Sequence, residues 1–363
     1  MIYVKYDLIE KLLNFARESS VLYCYGAGEY GEIVLDVLSE YNIQIESFII
    51  SELDIHYKKF DIPVRSINEF DDFSSGRCII AIKNEQTQKE IKELLALRGM
   101  DDLFIVNDIL KNEIAKFICE KNKELFNIGR GKRCFLLATG GSLKKQNLEH
   151  LKNEYVLTCS MLSITSIYKM INPFCYVSPT LKSEFTDQFI REWYEFIDET
   201  IVSPIVVLDY KEHIYIKNMS YFKNKNIYYL NTAVDGVYTG TAAMLRVAIW
   251  MGFSEIYLLG VDHDSVKKMF DSSYSYSNAH IYNILDFKKY GYDCLYDEWK
   301  RVNDKKISNR IILQSEANAF NEYHELALRA KRKRISIYNS TPDSLVDEFE
   351  YVKYENLFNE KKL

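Results

Sequence analysis

Three turns in this chain put backbone amides, hydroxyls, carboxylates and imidazoles where a phosphorylated ligand could be held. Thr239-Gly240-Thr241 opens an apolar helical stretch that Gly252 closes, and the strand Ile256 to Leu259 then stops at Gly260-Val261-Asp262-His263-Asp264. A helix start offers unpaired N–H groups to an anion. The carboxyl end of a parallel strand is where open α/β sheets bind ligands. Thr139-Gly140-Gly141-Ser142-Leu143 closes the apolar run Cys134 to Ala138, so its amides and the Ser142 hydroxyl form a second anion cradle, or else a plain glycine turn capped by Ser142. The third turn is Gly26-x-Gly28-x-x-Gly31, between a strand and a helix as the dinucleotide fingerprint requires. Ser51, followed by Glu52, stands where that fingerprint expects its ribose-binding acid. Nucleotide binding and glycines used only for packing are both open there.

Transfer of a group to a hydroxyl needs a base, and an imidazole titrates near neutrality. Of the six histidines, His56, His150 and His213 sit in polar contexts, and His324 lies on a helix where packing or capping explains it. His263, at a strand end, and His280, within Asn278-Ala279-His280-Ile281-Tyr282, remain as candidate bases, with a structural role open for each. Tyr274, Tyr276 and Tyr282 could donate phenolic hydroxyls to a leaving phosphate, or simply pack. Asp262 and Asp264 form a D-x-D pair that suits an oxygen-loving cation or caps the next turn. Lys331-Arg332-Lys333-Arg334 is a basic helix end, either solvated or turned toward an anionic lipid or a phosphorylated acceptor.

The elements that must position these groups follow from the apolar pattern. With 363 residues, nearly half of them hydrophobic, two α/β domains with full cores are expected. A formal charge of −6 argues against a nucleic-acid partner. Seven cysteines without a C-x-x-C pair read as buried thiols in a reducing compartment, and no signal peptide or membrane-length apolar run stands out, so a cytoplasmic protein is expected. Helix 7–18 precedes a βαβ series with strands at 21–25, 45–50, 78–82 and 103–106, which predicts a Rossmann-like domain over 1–108. Residues 109–130 read as a connecting helix. A second parallel domain over 131–363 has strands at 134–138, 155–159, 174–177, 201–208, 227–230, 256–259 and 335–339. The polar stretch of about 265–314 reads as a lid or binding loop, and 318–334 as a helix.

Over roughly residues 130–360 the sequence resembles the motility-associated-factor (6-hydroxymethylpterin diphosphokinase MptE-like) glycosyltransferase family. More distantly it is similar to the family 42 bacterial sialyltransferases. The matching pieces are LLATGGSL at 136–143, FCYVSPT at 174–180, TGTAAMLRVAIWMGFSEIYLLGVDHD at 239–264 and ISIYNSTPDSLV at 335–346. The first hundred residues, with YGAGEYGEIV and CIIAIKNE, resemble the Rossmann-like domain of bacterial sugar-modifying enzymes. The resemblance implies a sialyltransferase-like variant of the GT-A parallel sheet with a lid. It also implies a metal-independent transferase with no added cofactor and a nucleotide-sugar donor, typically CMP-linked. Thr139, Gly140, Gly141 and Ser142 would lie near the donor phosphate, Ser160 and Ser178 beside the nucleoside, and Thr239, Gly240 and Thr241 on its cytidine side. Asp262, Tyr274 and Tyr282 would complete the donor site. A His-aromatic element in the lid makes His280 the preferred base and His263 its rival. The sialyltransferases' G-N-G-P-S-L turn is T-G-G-S-L here, and Ser160 and Ser178 stand for two asparagines. The implied acceptor is a saccharide or glycolipid in surface-polysaccharide or flagellin glycosylation, with peripheral membrane contact and a homo-oligomeric state. The rival functions are an ATP-dependent pterin diphosphokinase and a non-catalytic sugar-nucleotide-binding protein.

Overall fold

The computed structural model describes residues 6–19, 21–52, 57–70, 76–178, 185–218, 221–233, 236–270, 280–282, 285–303 and 308–358. His56, Tyr274 and Tyr276 lie outside them. The chain divides into two compact units. The first comprises Met1–Glu120, Tyr210–Asn218 and Asn231–Asp235, and the second Lys121–Asp209, Met219–Leu230 and Gly236–Leu363.

In the first unit, six strands form a sheet in the order β3-β4-β2-β1-β5-β6. They are β1 (Leu22–Tyr25), β2 (Ser47–Ile50), β3 (Tyr57–Lys59), β4 (Ile62–Ser66), β5 (Arg77–Ile80) and β6 (Leu103–Ile105). All pair in parallel except β3, which forms a hairpin with β4. Phe48, Ile49, Ile79 and Ile80 are fully buried, as strands covered on both faces require. The helix Glu29–Glu40 buries Ile33, Val34, Leu35, Val37 and Leu38, and also Asp36.

Tyr210–Asn218, a segment that follows a strand of the second unit in sequence, belongs to this first unit. Asp36 is its most buried polar anchor there. Its carboxylate, 2 % exposed, pairs with Nδ1 of His213 at 2.8 Å and Nζ of Lys217 at 2.9 Å, and Lys217 also reaches Glu40 at 2.8 Å. A buried carboxylate left without such partners is costly to the fold. His213 therefore serves an ion-pair cluster.

The second unit carries eight parallel strands in the order β11-β10-β9-β8-β7-β12-β13-β14. They are β7 (Arg133–Leu137), β8 (Tyr155–Cys159), β9 (Cys175–Val177), β10 (Ile205–Asp209), β11 (Asn226–Leu230), β12 (Glu255–Leu259), β13 (Ser336–Asn339) and β14 (Glu350–Tyr351). The protein is thus a mixed α/β chain with two sheets in which parallel pairing dominates. The helix Gly240–Trp250 buries Thr241 to Leu245 and Val247 to Ile249, so it is covered on more than one side, and it shares one core with Cys134, Leu136, Leu157, Ile256 and Leu258.

Two stretches differ from the sequence-based expectation. The helix expected over 109–130 is an α-helix only over Asp108–Ile118 and continues as a 3-10 helix over Cys119–Leu125. Asn122 explains the change. Its side chain joins the backbone of β11, accepting from Tyr229 N at 3.2 Å and donating to Tyr229 O at 2.5 Å. Residues 265–314 hold short helices, Ser265–Met269, Asp286–Lys289 and Asp293–Asn303, and the long helix begins at Asn309 rather than 318. Ser308 caps that helix, but its first turns expose Ile311 and Leu313, so they carry no amphipathic signal.

Candidate active site at the strand ends of the second unit

From β7 the second sheet grows outward through β8, β9, β10 and β11, then the chain crosses to β12 on the other side of β7. The carboxyl ends of β7 and β12 therefore flank the topological switch point, the place where open parallel sheets leave a crevice. Thr139–Ser142 follows β7, and Gly260–Asp264 follows β12. The ladder runs one step past the strands, with Gly140 N donating to Gly260 O at 2.9 Å. A Cβ at Gly140 would stand 2.5 Å from the Asp262 carboxyl carbon, so only glycine allows that approach.

Two donors of this turn, the Ser142 amide and hydroxyl, already have an acceptor. Asp262 Oδ2 accepts from Ser142 N at 3.0 Å, and Oδ1 accepts from the Ser142 hydroxyl. The cradle expected to hold a phosphate holds the protein's own carboxylate. Asp264 pairs with Lys267 at 3.2 Å, while Asp262 is turned to Ser142. The loop after β13 braces the arrangement: Val261 N donates to Thr341 Oγ1 at 3.1 Å, and Leu345 N to Asp262 O at 3.1 Å.

Residues 280–282 lie along the same turn. His280 forms an isolated bridge with Gly140, and Ile281 N donates to Thr139 O at 2.9 Å. The rings of His280 and Tyr282 are 5.2 Å apart, and Tyr282 is only 4 % exposed.

His263 is held differently. Its backbone is left-handed, with φ +51°, a sparsely populated conformation for a non-glycine residue. Nδ1 lies 2.8 Å from Glu316 Oε2 and Nε2 lies 2.6 Å from the Tyr323 hydroxyl. Glu316 and Tyr323 are two turns apart on one face of the long helix, so together they grip the imidazole from both nitrogens. Burial raises the Glu316 carboxyl, but hydrogen bonds from His263 and the Ser265 hydroxyl outweigh it and hold it below its ordinary range. With Glu316 ionised, Nδ1–H donates to it, and Nε2 meets the Tyr323 hydroxyl. Burial pushes the Tyr323 phenol well up, so it stays a donor. The same hydroxyl lies 3.1 Å from Thr239 Oγ1, which caps the helix Gly240–Trp250 by accepting from Ala242 N at 3.0 Å. That helix has no acidic residue in its own first turn, which suits an anion, and the Glu322 carboxylate, paired with Arg246 at 2.6 Å, accepts from Tyr238 N at 3.0 Å just before it.

Ser160 and Ser178 follow β8 and β9 at the same sheet edge. Ser160 is left-handed with φ +57°, and its carbonyl accepts from the Tyr176 hydroxyl at 2.9 Å. Ser178 is 2 % exposed and its N–H extends the ladder to Val207 O at 2.8 Å. Glu316 and Tyr323 were not among the sequence candidates. Their signal was two polar groups spaced by seven, on a helix whose start the apolar pattern concealed.

The corresponding switch point of the first unit lies between β1 and β5. Gly31 is required there, because a Cβ would stand 2.1 Å from Gly26 O. Gly28 is the N-cap of the helix Glu29–Glu40, whose first turn carries Glu29 and Glu32. Glu29 pairs with Lys111 at 2.8 Å and Lys211 at 3.4 Å, and Glu32 pairs with Lys59, whose ammonium also donates to Ala27 O at 2.7 Å. Ser51 Oγ lies 2.8 Å from the Tyr25 hydroxyl. Asp36, Glu40 and His213 offer atoms within 4.8 Å of one another, but the Lys217 ammonium already supplies the cation among them.

No family model matches the chain, and no similar curated protein is found. Solved structures of a sialyltransferase from Campylobacter jejuni share part of its architecture. The chain is similar to CstII in complex with the substrate analogue CMP-3FNeuAc, at 15 % identity and TM-score 0.38, covering 61 % of this chain and 86 % of that one. It is similar to CstII with cytidine-5'-monophosphate at 16 % identity and TM-score 0.34, covering 61 % and 85 %. For CST-II with a trisaccharide acceptor and CMP the values are 16 % and 0.35, covering 61 % and 86 %. Likeness at this level decides nothing by itself. Among the described residues no helix is long and apolar enough to cross a membrane.

Proposed function

We propose that the second unit is a glycosyltransferase that moves a sugar from a nucleotide-activated donor, CMP-linked and sialic-acid-like, onto a saccharide or glycolipid acceptor. The observation that carries this is the helix start at Thr239–Thr241. It is free of acid in its first turn and tied through Tyr323 to His263 and Glu316 at the switch point of a parallel sheet. In this reading the donor phosphate sits at Thr239, Gly240 and Thr241, and the nucleoside runs toward Ser160 and Ser178. Thr139–Ser142, locked by Asp262, forms the opposite wall rather than the phosphate cradle. The acceptor oxygen attacks the anomeric carbon and its proton passes to His280, which Gly140 fixes beside the turn. The bond from that carbon to the phosphate oxygen breaks, and the nucleotide leaves with the electron pair. His263 positions Thr239 through Tyr323.

Because Asp262 is engaged with Ser142 and Asp264 with Lys267, the proposed transfer uses no metal. The protein would act in surface-polysaccharide or flagellin glycosylation, as a homo-oligomer in the cytoplasm at the inner face of the membrane. Its relationship to the motility-associated-factor family is part of the same proposal. The first unit, over about residues 1–108 with the 210–218 segment, serves as an accessory domain, and the segment of about 265–314 as the lid.

The test is donor hydrolysis with CMP-, UDP- and GDP-sugars, with and without EDTA. CMP release that survives EDTA is the expected result. AMP formation from ATP with a pterin would replace the transferase with a diphosphokinase, and no turnover with any donor would leave a binding protein.

A further inference from the structure

The edge of the second sheet opposite the candidate site carries a surface of another kind. At the amino ends of β7, β12 and β13 three chain segments are stitched together by backbone hydrogen bonds. Gly129 N donates to Met251 O at 2.8 Å, Ser254 N to Lys132 O at 2.9 Å, and Ser336 N to Ser254 O at 3.0 Å. Three large apolar residues stand out of this edge: Phe126, 48 % exposed, Trp250, 43 %, and Ile128, 39 %. Two of them form a fixed pair. The Phe126 and Trp250 rings are 5.1 Å apart, and the indole N–H donates to Asn122 O at 2.8 Å. The basic run Lys331–Arg334, exposed throughout, adjoins them, with the Lys333 ammonium 5.7 Å from the centre of the Phe126 ring.

Four consecutive cations in a chain of net charge −6 are a strong local departure. Glu348 and Glu350 share a groove with Lys331 and Arg334, whereas Arg332 and Lys333 are not part of its lining. Exposed tryptophan, phenylalanine and isoleucine fit the boundary between headgroups and acyl chains, and adjacent lysines and arginines fit anionic headgroups. We propose that this edge, with Phe126, Ile128, Trp250 and Lys331–Arg334, docks the protein on an anionic phospholipid bilayer. Docking there leaves the carboxyl ends of the strands, and the candidate site with them, open to the aqueous side. The inference rests on the peripheral-membrane reading given above and not on the transfer chemistry, so vesicle binding and CMP release fail independently.

The test is co-sedimentation of the full chain with phosphatidylcholine vesicles with and without phosphatidylglycerol, while Trp250 emission is followed. Two other tryptophans exist, and Trp193 is 3 % exposed, so the Trp250→Phe variant isolates the Trp250 signal. Expected are salt-sensitive binding only to the anionic vesicles and a blue shift that Trp250→Phe removes. The combined Lys331→Gln, Arg332→Gln, Lys333→Gln and Arg334→Gln variant should lose roughly tenfold or more in partitioning. Phe126→Ser, outside the cation cluster, should weaken binding by a smaller factor. Equal binding to phosphatidylcholine alone, no change in emission, or unchanged partitioning of the charge variant would each overturn the proposal. Retention on heparin without vesicle binding would overturn it in favour of a soluble polyanion.

Discussion

In the first unit, the helix after the glycine turn begins with Glu29 and Glu32, each locked by lysines. In the second, the turn after β7 is filled by Asp262, while the neighbouring helix start at Gly240 has no acid in its own first turn. Both turns satisfy the outward pattern of a phosphate loop, and both present carboxylates to themselves. An approaching phosphate would have to displace a paired carboxylate in either place, which costs the pair and adds like-charge repulsion. At the Thr239–Thr241 start the helix's own first turn carries no acid, and Glu322, paired with Arg246, meets the chain one residue earlier at Tyr238 N. A glycine pattern therefore marks close packing first. Whether it also marks an anion site depends on which side chains the fold brings back to it.

The contrast can be broken most sharply with the two histidines that the fold places in opposite settings. His280→Ala should lower donor turnover by roughly 10²–10⁴-fold, the usual worth of a positioned base, whereas His213→Ala should leave turnover intact and lower stability. Equal losses of turnover, measured as CMP release at matched folded concentration, would remove His280 as the base. The glycines give the next largest effect. Gly31→Ala puts a methyl 2.1 Å from Gly26 O and Gly140→Ala puts one 2.5 Å from Asp262, and overpacking of this kind costs about 1–3 kcal/mol. Thermal unfolding should detect both losses, but only Gly140→Ala should also blunt the stabilisation given by CMP. If Gly31→Ala blunted it equally, the nucleotide would belong to the first unit. Thr239→Ala removes the helix cap and one contact of Tyr323, and should cost about 1 kcal/mol of stability and weaken CMP binding, with Thr239→Ser restoring most of both.

The parallel sheets were legible because their strands are continuous apolar runs, and the switch-point turns because glycine and hydroxyl residues punctuate those runs. Three things were not. The β3–β4 hairpin turns on Phe60 and Asp61, both left-handed with φ +51° and +64°, where a sequence reader looks for Asn-Gly or Asp-Gly. The return of Tyr210–Asn218 to the first unit uses three acids, Glu29, Glu32 and buried Asp36, of a helix otherwise read from its apolar face. Of the candidate site, His263, Ser142 and Asp262 were named from their places at strand ends, and His280 from the lid segment through the family resemblance. Their partners were not, because Ser142–Asp262 and His263–Glu316 are pairings across 120 and 53 residues that no local period encodes. Glu316 was doubly hidden, since it sits before the point where the long helix becomes amphipathic.

The smallest effect separates the two carboxylates that the units pair differently. Burial raises Glu29, but the hydrogen bonds and charges of Lys111 and Lys211 outweigh it, so its carboxyl lies below its ordinary value, as that of Glu316 does through His263 and Ser265. A carboxyl with a depressed folded-state pKa binds fewer protons than it does in the unfolded chain. Its stabilisation is therefore complete above the unfolded value of about 4.3 and is lost as pH falls through the folded one. Glu29→Gln and Glu316→Gln should both flatten the acid limb of the stability curve and leave its slope near neutrality unchanged. They should differ in function. Glu316→Gln gives Nδ1 of His263 a neutral partner and frees the ring to take its other tautomer, so CMP release should slow, while Glu29→Gln should leave it unchanged. Urea unfolding between pH 3 and pH 7, read beside CMP release for the same variants, decides this (pH range set by carboxyl values of about 4). An acid limb unaltered by Glu316→Gln would mean that its pairing with His263 contributes nothing to the fold. An unchanged rate would leave His263 a structural imidazole, and its left-handed backbone would belong to packing alone.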